Sequence, residues 1–312
     1  MPTLADVVGI LDAAYDPRWA ESWDAVGLVC GDPAAQVHKV LFAVDPVDAV
    51  VEEAITWGAD LLVTHHPLLL KPVHGVAATS FKGRAVHRLI SNGVALLTAH
   101  TNADVASPGV SDALARALDL SVIGPILPAA GEGVAPNGSA GRGSGSGRGL
   151  GRFGVLSEPE SLRAFAQRVA LALPPTNGGV RVAGDPERTI RLVAVCGGAG
   201  DDRELLAAVR AAGADAYVTA DLRHHAASEA LEAGDFAAPG TGPALLDVAH
   251  WASEWPWLSD AAALLTAGLG EIREHRGRDS DREREGGPER GTVEIRVSQL
   301  VTDPWTSHAP QK

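Results

Sequence analysis

Gly58-Ala59-Asp60-Leu61-Leu62-Val63-Thr64-His65-His66-Pro67 is the stretch that decides how this chain is read. From Leu61 it has the apolar, β-branched character of a buried strand, then stops abruptly in two imidazoles and a proline. Pro67 cannot donate to a sheet ladder and pushes His66 toward an extended conformation. The pair is therefore expected where the strand leaves its sheet, with both rings able to turn toward one cleft.

The pattern on either side is an alternation of strands and helices. Residues 39–45 read as a strand, 47–57 as a helix, and 61–66 as the second strand. Residues 81–90 follow as a helix, 94–100 as a third strand and 111–118 as another helix, while 4–14 form an opening helix capped by Thr3. This order implies a parallel sheet with right-handed crossovers, in which ligands bind beyond the carboxyl ends of the strands. The three strands end in Asp45, in His65-His66 and in His100-Thr101-Asn102-Ala103-Asp104, so each delivers a metal-capable side chain to one edge.

Composition narrows the function classes. The 312 residues suffice for two domains, and 46% apolar with 4% aromatic content suits an α/β protein. A net charge of −13 argues against nucleic-acid binding, which needs clustered Lys and Arg. Cys30 and Cys196, far apart in sequence, form no disulfide framework and suit a reducing cytoplasm. The N-terminus lacks a signal-peptide pattern, and no uncharged run reaches the roughly 18 residues of a membrane span. A soluble, unprocessed protein is expected.

Residues 128–151 interrupt the pattern with Gly-rich sequence that reads as a linker or elaborated loop. Gly149-Leu150-Gly151-Arg152-Phe153-Gly154 matches a dinucleotide fingerprint formally, but no strand is expected before it and no helix after it, so a nicotinamide-dependent oxidoreductase has little support. The alternation then resumes with a helix over 160–173, a strand over 190–196, the turn Gly197-Gly198-Ala199-Gly200 and a helix over 202–212. Gly213-Ala214-Asp215-Ala216-Tyr217-Val218-Thr219 repeats the G-A-D-x-x-V-T of the opening stretch and suggests a second strand end at Asp221 and His224. A short apolar run, 244–249, leads to His250 and Glu254, four residues apart, with Ser253 expected to cap the next helix. Residues 271–290 are charge-dense and read as a solvated insertion, before a final strand over 292–301.

His, Asp and Glu without thiolate suit zinc, iron, manganese, cobalt or magnesium. Five such ligands exceed the three that one catalytic ion usually takes, and adjacent histidines face one ion with difficulty, which favours two divalent ions. Water held between two such ions is acidified, so hydrolysis of a phosphate ester, an amide or an activated ring carbon is the natural reaction class.

His65-His66-Pro67, His100 to Asp104 and His250-x-x-x-Glu254, in this order, resemble the Nif-three-like dinuclear metal-centre family, whose members are often labelled GTP cyclohydrolase I type 2 homologues. Trp23-Asp24-Ala25-Val26-Gly27-Leu28, the GxGRxG turn at Gly149–Gly154, Gly213 to Asp221 and Thr302-Asp303-Pro304-Trp305 extend the likeness over nearly the whole chain. The resemblance implies His65, His66, Asp104, His250 and Glu254 as metal ligands. It further implies two α/β domains around an interdomain metal cleft, and a ring-shaped homohexamer. The expected organisation is an N-terminal α/β domain (1–127), the Gly-rich segment (128–151), a second α/β domain (152–270), the charged insertion (271–290) and a returning strand (291–312).

The leading expectation is a metal-dependent hydrolase of a nucleotide or other phosphorylated small molecule, with Gly197–Gly200 offering backbone N–H groups to phosphate. His100, Asp221 and His224 are weak candidates for catalytic or supporting work. The alternative is a non-catalytic, ring-forming metal scaffold or regulator.

Overall fold

A computed structural model describes residues 1–130, 147–237, 240, 242–280 and 292–309. Most of the Gly-rich segment (131–146) and the distal half of the charged one (281–290) lie outside the described residues. The chain forms two compact units, Met1–Ala103 with Leu258–Thr302, and Asp104–Trp257 with Asp303–Lys312. None of the described helices is long and apolar enough to cross a membrane.

The first unit contains helix α1 (Leu4–Ala14), strands β1 (Gly27–Cys30) and β2 (Lys39–Ala43), helix α2 (Asp48–Trp57), strand β3 (Leu61–Thr64), helix α3 (Phe81–Ser91) and strand β4 (Ala95–Thr98). The chain's last strand, β13 (Glu294–Val297), completes a sheet of order β1-β4-β3-β2-β13. Strands β13, β2, β3 and β4 run parallel, as expected for crossover connections, and β1 is antiparallel to β4. Every residue of β3 and β4 is buried, the pattern of strands covered on both faces. Val50, Val51 and Ala54 of α2 and Val86 and Leu89 of α3 pack against Leu41, Leu62 and Leu96 of the sheet.

The short helix α4 (Thr101–Val105) leads to the second unit. There α5 (Val110–Ala117), β5 (Ser121–Gly124), the small pair β6 (Leu127–Pro128) and β7 (Gly149–Leu150), β8 (Arg152–Ser161), α6 (Leu162–Ala172), β9 (Arg181–Ala183) and β10 (Thr189–Ala199) follow in turn. Then come α7 (Arg203–Ala211), β11 (Ala216–Ala220), α8 (His224–Ala237), β12 (Ala244–Val248) and α9 (His250–Ser280). The six-stranded sheet has order β5-β8-β10-β11-β12-β9, parallel through β10, β11 and β12 and antiparallel elsewhere.

Several boundaries differ from the sequence reading, and β10 runs on through Gly197 and Gly198 to Ala199, where a turn was expected. Residues 121–124 pair with β8, so the chain is already in the second unit there, ahead of the Gly-rich segment. Helix α9 starts at His250, four residues before the position expected with Ser253 as cap, and continues through 271–280. Ser253 instead donates its hydroxyl to the His250 carbonyl (2.7 Å) within the first turn.

The repeated G-A-D motif is one local device used twice. Gly58 and Gly213 follow α2 and α7 with φ of +72° and +68°, a left-handed conformation that glycine adopts without Cβ strain. Asp60 then accepts the backbone N–H groups of His38 (2.7 Å) and Lys39 (2.9 Å), and Asp215 those of Arg191 (2.9 Å) and Leu192 (2.8 Å). Each aspartate thus anchors the start of its own strand to the start of its parallel neighbour, β2 or β10.

Candidate metal centre

At the carboxyl end of β3 the backbone stays fixed beyond the strand. His65 N–H donates to the Ala43 carbonyl (3.2 Å) and His66 N–H to that of Val44 (2.9 Å). His65 is fully buried, and its ring centroid lies 5.1 Å from those of His66 and His100. One donor atom from each of these three rings lies within 4.8 Å of the others, so the group could hold a metal ion. Adjacent His65 and His66 thus join one such group, with their rings tilted 46° to each other.

What sets these rings is the partner of each Nδ1. His65 Nδ1 lies 2.9 Å from the Ala99 carbonyl, His66 Nδ1 2.7 Å from Asp45 and His100 Nδ1 2.9 Å from Asp24. A carbonyl or carboxylate oxygen only accepts, so each Nδ1 carries the proton and Nε2 carries the lone pair that a metal needs. Asp24 is itself held by the N–H and hydroxyl of Thr101, and Asp45 by the hydroxyl of Thr302. Burial, reinforced by the neighbouring His65, pushes His100 down to about 4, so it is neutral at pH 7.

The second unit differs in one respect, because both ring nitrogens of its histidine face carboxylates. His250 Nδ1 lies 2.8 Å from Asp221, and its Nε2 lies 3.0 Å from Oε1 of Glu254, one helical turn on. Asp221 takes this position with φ of +56°, a conformation costing about 1 kcal/mol or more for a non-glycine residue. Gly198, at φ +70°, makes room for the pair: a Cβ there would sit 2.5 Å from Glu254 Oε1 and 3.3 Å from His250 Nε2.

Other expectations fare differently. Asp104 sits in α4. His224 begins α8 beside His225, ring centroids 5.2 Å apart, and belongs to no three-donor group among the described residues. Gly197, Gly198 and Gly200 do not offer N–H groups to phosphate: these donate to Ser111 Oγ (3.2 Å), Ser253 Oγ (2.8 Å) and the Ala220 carbonyl (3.3 Å). The GxGxxG stretch lies in β7 and β8 with no helix at its end, and its Arg152 is a buried tie. That guanidinium pairs with Asp112 (2.7 Å) and donates to the carbonyls of Gly149, Gly151 and Ala106. Burial, with the charge of Asp104, pushes the Cys196 thiol up to about 12, so without a bound cation it is protonated at neutral pH.

Asp24 and the Ala99 carbonyl are supporting groups that sequence reading missed. Asp24 stood inside the WDAVGL motif, but nothing local tied it to His100, 76 residues away.

Fold and site together define an α/β protein with a cluster of imidazoles that could hold a metal ion. The chain belongs to the Duf34/NIF3 (NGG1p interacting factor 3) family, whose model matches residues 2–275. It is 51% identical over 308 residues to a "GTP cyclohydrolase 1 type 2 homolog" of Streptomyces coelicolor, covering 99% of this chain and 95% of that one. A protein of the same description from Mycobacterium tuberculosis is 40% identical, covering 97% and 96%. Among solved structures, a Bacillus cereus protein related to NIF3 superposes with a TM-score of 0.75 at 25% identity, covering 97% of this chain and 98% of that one.

Proposed function

We propose that this protein is a metal-dependent hydrolase of a nucleotide or another small phosphorylated molecule, with His65, His66, Asp104, His250 and Glu254 holding two divalent ions. Zinc, iron, manganese, cobalt and magnesium all suit this nitrogen and oxygen donor set. The observation that carries the reading is that His65, His66 and His100 each have Nδ1 committed to an acceptor, which leaves the Nε2 lone pair of each ring on the side away from its support. Structural histidines in a core have no need for such uniformity. Bound divalent ions would supply a water acidified to hydroxide at neutral pH and a Lewis acid for a phosphoryl oxygen. The chain's own part is to fix the donors: Asp24 and Asp45 hold His100 and His66 in the tautomer protonated at Nδ1, and Asp221 orients His250.

The same proposal includes a cytoplasmic location, on the two cysteines that form no disulfide framework, and a homohexamer, on the family resemblance. The names of the relatives make GTP one substrate to try. The test is turnover of GTP and a panel of phosphate esters by metal-loaded protein against a His65→Ala/Glu254→Ala variant. Metal-dependent turnover lost in the variant supports the hydrolase. Equal rates in both proteins, with metal bound only by the wild type, would leave a non-catalytic metal scaffold.

A further inference from the structure

A cavity of about 290 Å³ opens within the first unit, between the carboxyl ends of β2 and β3 and the first turn of α3. One wall is His66 with its acceptor Asp45, and Pro67 follows on the same side; the other is Phe81, Lys82 and Arg84. The cavity therefore adjoins a candidate metal donor directly. Its volume is at the small end of the roughly 300–1,000 Å³ typical of ligand sites, room for one ring system and one anionic group.

Its charges are unevenly matched. Asp45 is occupied by His66 and Thr302, and Asp48 lies 2.9 Å from Arg88 and 3.8 Å from Arg84. Lys82 has no acidic partner among the described residues, and its ammonium lies 5.8 Å from the centroid of the Phe81 ring. Phe81 is 72% exposed at the first position of α3, although α3 has an apolar face, formed by Val86 and Leu89, that buries its hydrophobic residues normally. An exposed aromatic ring beside a cation, in a cavity also lined by a proline, is a surface for a planar ring carrying negative charge.

We infer that this cavity selects the substrate: a phosphorylated compound with one planar ring stacks on Phe81, and Lys82 takes up anionic charge. The inference rests on the hydrolase reading for the reaction, but the ring preference belongs to Phe81 alone and exists without turnover.

The experiment is equilibrium binding of phenyl phosphate and of ethyl phosphate to the full chain, metal-loaded and chelator-stripped, in wild type, Phe81→Ala, Phe81→Trp and Lys82→Met. Wild type is expected to prefer phenyl phosphate about ten-fold in both metal states, within the roughly 5- to 150-fold that stacking on an aromatic side chain is worth. Phe81→Ala removes the preference, Phe81→Trp keeps it, and Lys82→Met weakens both ligands by a similar factor. Equal ring preference in wild type and Phe81→Ala, or no binding of either compound to wild type, overturns the inference. A preserved preference with no turnover of any phosphate ester sinks the hydrolase reading and leaves the binding pocket standing.

Discussion

Asp221 holds His250 from a left-handed backbone position, its carboxylate 2.8 Å from Nδ1 of the ring. The contact fixes the orientation of the His250 ring against its support.

Replacing Asp221 by alanine is therefore expected to leave the fold in place while weakening metal affinity by about 10- to 100-fold. Competition with a chromophoric chelator measures it. Unchanged affinity would mean that His250 is oriented by something else.

Gly198→Ala should do more damage with a smaller chemical change. Its Cβ would collide with Glu254 and approach His250 from a backbone angle unfavourable to alanine. Loss of metal uptake together with destabilisation of about 1 kcal/mol or more is expected, read from metal titration and urea unfolding. Alanine accepted at no cost to either would contradict the packing described around Glu254.

Arg152→Met tests the buried tie in the second unit. It strands Asp112 and removes donors from the Gly149, Gly151 and Ala106 carbonyls, so destabilisation of about 3–5 kcal/mol is expected by urea unfolding. Removal of a dinucleotide-binding residue would alter nicotinamide binding and leave stability untouched.

Cys196 gives a pH signature. Its thiol ionises near the ordinary value of 9 when unfolded and is pushed up to about 12 in the fold, so the folded state holds the extra proton between these values. Stability should fall as pH rises above 9, by up to about 1.4 kcal/mol per pH unit from this group. Urea midpoints should accordingly fall more steeply for wild type than for Cys196→Ala between pH 8.5 and 10.5. Parallel slopes would show that the thiol is not held protonated by its surroundings.

Much of this was legible in the sequence because its signals were local. The apolar run closing on His65-His66 fixed β3 and its chemistry at once, and the G-A-D-x-x-V-T repeat marked two helix-to-strand turns that the structure builds alike at Asp60 and Asp215. Strand β8 escaped notice because Glu158-Pro159-Glu160-Ser161 breaks any apolar alternation, and its pairing with β10 and β5 supplies what its own pattern lacks. Strand β1 carries no clear strand signal because it is half-buried throughout. The groups that orient the rings were the least readable. A carboxylate at Asp24 or a carbonyl at Ala99 becomes a histidine's partner only through tertiary folding, and a backbone carbonyl carries no sequence signal.

The most direct test of the central claim is elemental analysis of protein purified with neither added metal nor chelator, beside a His65→Ala/His66→Ala variant of unchanged circular dichroism. Close to two divalent ions per chain in the wild type, and a clear loss in the variant, is the predicted result. Wild-type protein that is metal-free as isolated and takes up none when zinc, iron, manganese, cobalt or magnesium is supplied would contradict it.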